Sequence, residues 1–344
     1  MKFAVGYQLA EAHEASFVEV VAEFADRVGE VYFPWIAMPS GRPPIGRGDA
    51  SAPERLETDL CALREMGIRL DLLLNANCYG PDAASRKLQR TVTDLLDRLA
   101  DRVGGVETVT TASPAVAHVV KIHAPDVEVR ASVNMRIGTA AAMEYVADVF
   151  DAYTVRREYN RDLAHLGRLK RWADARGKRL VLLANSGCLA DCPGQTFHDN
   201  LVAHQADAPA GNDLDGFIPH VCWKVLRDRA NWPAILQATW VRPEDLHHYD
   251  GLFDVVKLAT RLHDRPWIVL RAYAQRQWRG NLLDLLEPTL SAALAPHAID
   301  NARFPTDWFE RTGACGRGCE SCDYCRGVLE KVLVRIDGAG VAGP

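Results

Sequence analysis

The residues best equipped for chemistry are cysteines, and their spacing is uneven. Nine occur in 344 residues, and seven of them follow residue 187. Cys188 and Cys192 form a C-x3-C pair, Cys222 stands alone, and Cys315, Cys319, Cys322 and Cys325 read C-x3-C-x2-C-x2-C. Thiolates three or four residues apart can converge on one centre with little further loop closure, and soft sulfur suits iron–sulfur clusters or zinc. The expectation is a [4Fe–4S] cluster, one or two per chain, with structural zinc as the alternative metal. One cluster needs four ligands, met by Cys188, Cys192, Cys222 and one tail cysteine. Two need eight, and Cys78 is the candidate eighth. Cys61, flanked by Leu60 and Leu63, reads as core.

These residues must be positioned by a scaffold, and the chain announces one. Short β-rich runs (Phe3–Leu9, Glu30–Phe33, Arg69–Asn75, Val106–Thr111, Val127–Val133, Ala152–Val155, Arg179–Leu183 and Phe253–Leu258) alternate with longer amphipathic stretches. Helices are predicted over Pro53–Met66, Ala84–Arg102, Thr139–Val149 and Asp162–Arg176. Several β-runs are almost continuously apolar, as parallel strands covered on both faces are. Eight such units over about 260 residues predict an α/β fold, a (β/α)8 TIM-like barrel. A doubly wound sheet is the runner-up, but no Gly-x-Gly-x-x-Gly follows any strand. The cadence breaks between Cys188 and Trp240, so residues 185–240 read as a Cys-rich insertion after strand seven. The barrel with its insertion takes residues 1–286, and a Cys-rich extension packing on it takes residues 287–344.

In a barrel, strand C-termini build the active site. That places Cys188, Cys78, Asn75, Asn77, Asn134, Arg157, Glu158 and Arg261 on one face. Cys192 precedes Pro193 and a helix over Gly194–His204, where the helix dipole favours anionic sulfur. His198, one to two turns into that helix, is a candidate acid–base group. Asn75, Asn77, Asn134 and Arg261 are candidate substrate ligands suited to a polar, carboxylate-bearing molecule. Arg157–Glu158 reads as a catalytic pair or a structural ion pair. Tyr153, Trp223 and Trp240 read as core. Neither His-Glu-x-x-His nor Gly-x-Ser-x-Gly occurs, so a peptidase would need Cys78 as its nucleophile.

Composition narrows the class. Apolar residues make up 48% and charged residues 25%, and the net charge is −5, which disfavours electrostatic DNA binding. The N-terminus has no signal-peptide core, and no apolar run reaches the ~20 residues a membrane span requires. A cytoplasmic protein is expected, in which clustered cysteines are not disulfides.

The stretches Arg242-Pro243-Glu244-Asp245-Leu246 and Val256-Lys257-Leu258-Ala259-Thr260-Arg261 resemble the closing barrel motif of the collagenase-like peptidase family U-32, usually Lys-Ile-Glu-Gly-Arg. Arg157-Glu158 resembles that family's Arg-Glu pair, and Gly187-Cys188 with Cys192 its central cysteine region. The resemblance spans residues 1–285. It implies an iron–sulfur oxidoreductase performing oxygen-independent hydroxylation on a small molecule or RNA base, with prephenate as oxygen donor in the RNA-modifying relatives. It also implies that a heteromeric partner of the same family is possible, which leaves a non-catalytic partner subunit as an alternative. The sequence departs from the family in its short C-x3-C spacing, in Thr260 at the glycine position, and in its cysteine tail.

Overall fold

The computed structural model describes residues 1–10, 16–36, 38–43, 45–46, 48–205 and 214–336. Strands β1 (Lys2–Gly6), β2 (Val28–Pro34), β3 (Arg69–Leu74), β4 (Thr108–Thr111), β5 (Glu128–Ala131), β6 (Ala152–Thr154), β7 (Arg179–Leu183) and β8 (Val255–Leu258) close into a parallel barrel. Lys2 to Val5 pair in register with Val255 to Leu258, so neither β1 nor β8 is an edge. That closure excludes the doubly wound sheet.

Helices α1 (Phe17–Ala22), α2 (Ala52–Glu65), α3 (Arg86–Val103), α4 (Pro114–His123), α5 (Ala140–Glu144) and α6 (Leu163–Ala175) link the first seven strands. Helix α3 shows why these segments form where they do. The Ser85 side chain accepts a hydrogen bond from the Leu88 amide, and Gly104 ends the helix at φ 80°. Leu88, Val92, Leu95, Leu96, Leu99 and Val103 make the buried stripe between. Helix α5 is shorter than predicted. It is capped by Thr139 but stops at Glu144, and turns carry the chain to Phe150. The β-branched Val146 and Val149 and the polar Asp148 give weak helix propensity there, while the turns let Phe150 be fully buried.

Between β7 and β8 lie α7 (Gln195–Ala203), α8 (Val221–Leu226) and α9 (Pro233–Gln237). After β8 come α10 (Pro266–Gln275), α11 (Ser291–Leu294), β9 (His297–Ile299), α12 (Trp308–Gly313), α13 (Tyr324–Val332) and β10 (Leu333–Arg335). β9 and β10 pair antiparallel. The end of the insertion and the C-terminal segment share one apolar cluster apart from the main core. Trp232, Leu236 and Trp240 pack there with Trp308, Val328 and Leu329. Arg161 lies over both the Trp240 and the Trp308 rings.

The outward positions of the strands, such as Val31, Leu72, Val129 and Val256, belong to the main core under the helices. The alternate, inward positions carry few apolar residues: Ala4, Tyr32, Leu73 and Val255 form a small cluster. Beside it sits an ion network. Arg130 grips Glu30 at 2.5 and 2.8 Å, Asp71 at 3.3 Å and Glu128 at 2.9 Å. Burial favours the neutral form of Glu30, but Arg130 outweighs it and holds the carboxyl below its usual value. Asp71 is pushed up to about 6, by burial and by Glu30.

Candidate active site

The loops at the C-terminal ends of the strands enclose a cavity of 940 Å3. Its position is the one barrels use for chemistry. Most predicted site residues on those loops line it, and the architecture explains how each arrives there.

Strand β7 runs into Asn185, which is fully buried. Its amide donates to the carbonyls of Ala259 (2.8 Å) and Leu285 (2.9 Å), and its carbonyl accepts from the Ala259 amide (2.6 Å). Ser186 and Glu287 form a short parallel bridge. Gly187 then passes so close to Pro288 that a Cβ would stand 2.1 Å from the Pro288 carbonyl oxygen. Cys188 therefore starts from a fixed point and faces the cavity. Asp191, at φ 49°, turns the chain toward Cys192. Gly194 caps α7, and Cys222 lies on α8.

Cys188 and Cys222 line the cavity, and Cys192 sits beside them. Burial pushes the Cys222 thiol up, and the nearby Cys188 and Cys192 sulfurs push it further. Mutual repulsion of this kind is what a bound cation relieves. The donors thus fit an iron–sulfur site in kind, with three thiols where four ligands are usual. Among the described residues no three His, Cys, Asp or Glu side chains are already drawn to metal-binding distance. The tail forms a separate group. Cys319 and Cys325 are both raised, by burial first and then by the other tail cysteines, and Cys325 reaches about 11 despite Arg161. Asp191 and Arg317, 3.5 Å apart, join the loop of the first group to the loop of the second.

His198 faces the cavity, with its ring 4.5 Å from that of His220. Burial, His220 and Arg42 together hold it below the ordinary imidazole value, so it is neutral near pH 7. Asn75 and Asn134 line the cavity, and the Asn75 carbonyl oxygen accepts from the Gly41 amide at 2.9 Å.

Asn77 does not line the cavity. Its amide meets Asp199, which Arg136 also holds at 3.0 Å. Cys78 is not in the cavity either. Tyr79 sends its hydroxyl back to the Leu74 carbonyl, and that turn carries Cys78 into a neighbouring 390 Å3 recess with Asp82 and His204. Arg157 and Glu158 make no direct ion pair, although the nearby Arg157 guanidinium helps to hold the Glu158 carboxyl low against burial. Glu158 bonds Arg156 at 3.0 Å, while Arg157 turns inward to the Ser186 hydroxyl at 3.1 Å. Trp223, predicted as core, lines the cavity, whereas Tyr153 and Trp240 are fully buried. Thr260 accepts from the Gly6 amide at 2.8 Å and so ties the ends of β1 and β8 together.

The cavity gathers the expected Arg157 and Arg261 with a third cation, Arg42, that the sequence did not reveal. Arg261 is 5% exposed, and among the described residues it meets neutral oxygens, the Ser40 hydroxyl and the Pro43 carbonyl, while its Nε has no partner there. Arg157, 6% exposed, hydrogen-bonds Ser186 and makes no ion pair with a carboxylate among the described residues. Arg42 joins them and is anchored to Glu287 at 3.1 Å. Buried cations without a carboxylate are costly unless an anion completes them. Burial, with Arg42 nearby, lowers Arg261 to about 10.

No family model matches the chain. It is 26% identical over 276 residues to an uncharacterized protease of Methanocaldococcus jannaschii, covering 78% of this chain and 79% of that protein. Among solved structures, a U32 peptidase superposes with a TM-score of 0.54 at 17% identity, covering 75% of this chain and 92% of the other. The chain is thus similar over most of its length to that protease, and it shares its barrel fold with a U32 peptidase.

Proposed function

We propose that this chain is an iron–sulfur enzyme that performs oxygen-independent hydroxylation, or a related redox reaction, on an anionic small molecule or RNA base. One observation carries the reading: three thiols from the insertion gather at a cavity that also holds two buried arginines, neither of which makes an ion pair with a carboxylate among the described residues. Cys188, Cys192 and Cys222 would hold a [4Fe–4S] cluster, which supplies single-electron chemistry when bound. Arg157 and Arg261 bind and orient the anionic group of the ligand, and Asn75 and Asn134 add polar contacts. Neutral His198 is placed to accept a proton. The oxygen would come from a carboxylate-bearing donor, with prephenate the candidate. The tail cysteines would hold a second cluster or a zinc ion.

Anaerobically purified protein should be brown and carry roughly four irons per chain, or eight with both groups filled. Colourless protein with stoichiometric zinc after anaerobic iron reconstitution would reject the reading. The RNA version expects one hydroxylated nucleoside to disappear from the RNA of a deletion strain. An unchanged nucleoside profile points to a small molecule.

A peptidase is the second reading, favoured by the names of both relatives and by Cys78, His204 and Asp82 in one recess. It predicts cleavage of a peptide library that is abolished by Cys78→Ala and retained by Cys188→Ala.

A further inference from the structure

The cavity contains a lysine to which iron–sulfur chemistry gives no task. Val256 and Leu258 of β8 are buried under the helices, so the alternate Lys257 points into the barrel and lines the cavity. Its ammonium rests 3.7 Å from the centroid of the Tyr32 ring. Among the described residues no carboxylate makes an ion pair with it, because Arg130 has claimed the two that approach, Glu30 and Asp71. An ammonium is strongly hydrated, and an aromatic face is a weak substitute for water or a carboxylate. The groups facing it are Tyr32 and Glu30 from β2, Asp71 from β3, Arg130 from β5, and Arg261 beyond β8. Desolvation dominates among them and lowers Lys257 to about 8. A primary amine that is largely neutral at mildly alkaline pH is a nucleophile.

The same cavity holds Arg157 and Arg261, which make no ion pair with a carboxylate among the described residues. A nucleophilic amine beside carboxylate-binding guanidiniums has one natural complement, a ketone carrying an adjacent carboxylate. We propose that Lys257 is a carbonyl-reactive amine that joins a 2-oxo acid, held through its carboxylate by Arg157 and Arg261, as an imine. The Nζ lone pair attacks the ketone carbon, a C–N bond forms, and the ketone oxygen leaves as water with the two amine hydrogens. No oxidant or reductant is consumed. This chemistry rests on the same carboxylate-binding cavity as the proposed function, and requires no metal.

The test is reductive trapping. The protein as purified is incubated with pyruvate and cyanoborohydride, digested, and mapped by mass spectrometry. A single reduced adduct on Lys257 is expected, at least about tenfold above any surface lysine. Labelling should rise with a midpoint near 8, where an ordinary lysine gives 10.5. Acetone, which lacks the carboxylate, should label Lys257 far less. Lys257→Arg keeps the positive charge and should abolish the adduct without changing the circular dichroism spectrum. Absence of an adduct on Lys257 in folded wild type, even labelling of all lysines, or equal labelling by acetone would overturn the proposal. Succinate, which has no ketone, keeps the two readings apart. If it still raises the melting temperature while pyruvate fails to trap, the carboxylate-binding cavity stands and only the lysine chemistry falls.

Discussion

The two cysteine groups use the same atoms in opposite settings. Cys188, Cys192 and Cys222 are half-buried, the first two on a loop stitched to the barrel and the third on α8, and two of them look into a cavity lined with arginines. Cys315, Cys319 and Cys322 are exposed and lie close together along a single short segment, with Cys325 tucked against the second apolar cluster. The first group is assembled by tertiary structure, the second by sequence proximity. The first borders the 940 Å3 cavity. The second faces solvent, where an electron donor or a partner protein would arrive. Identical ligand chemistry therefore implies different work, and the contrast can be tested.

The largest effect should come from separating the groups. Cys188→Ser should remove the mouth iron and lower turnover by about 100-fold or more, on the scale of losing part of a metal site. Cys319→Ser should leave turnover within about tenfold. Equal losses, with all iron gone in either variant, would show that the groups serve one shared centre. Next comes the platform under the tail. Trp308 is fully buried, stacked on Trp240 at 5.8 Å and on Tyr324 at 6.1 Å. Trp308→Ala should cost about 3–5 kcal/mol in urea unfolding and loosen tail iron before mouth iron. The reverse order of iron loss would break the comparison.

Asn185→Ala should act on the mouth alone. It deletes three buried hydrogen bonds and should cost about 2–3 kcal/mol, with iron lost from the mouth while tail iron is retained. The smallest effect belongs to the link between the groups. Asp191 and Arg317 are 57% and 42% exposed, so Arg317→Ala should change stability by less than about 1 kcal/mol. A loss of several kcal/mol there, measured by the same unfolding curves, would mean that the two groups form one cooperative unit.

The barrel was legible because its signal is local. Each β-run and each amphipathic run can be read without knowing its neighbours, and α3 carries both its caps in its own sequence. Cys188 could be expected at the cavity from its place just after β7. Arg42 could not, since its role depends on Glu287, 245 positions away. Lys257 was visible as an inward position of β8, but a barrel interior is ordinarily filled by branched apolar side chains. Its chemistry emerges only once Arg130 is seen to occupy Glu30 and Asp71. Cys78 was misplaced because a strand end fixes a starting point and not the path of the loop, which Tyr79 redirects.

Asn185 has a consequence for how this chain can vary. It anchors the end of β7 to Ala259 and Leu285 through one side chain, so the take-off point of Cys188 is independent of the length of the loop that carries Cys192. That loop can lengthen, shorten or change its cysteine spacing without moving the rim from which it departs. Position is inherited from the barrel, and reach is free to be rewritten.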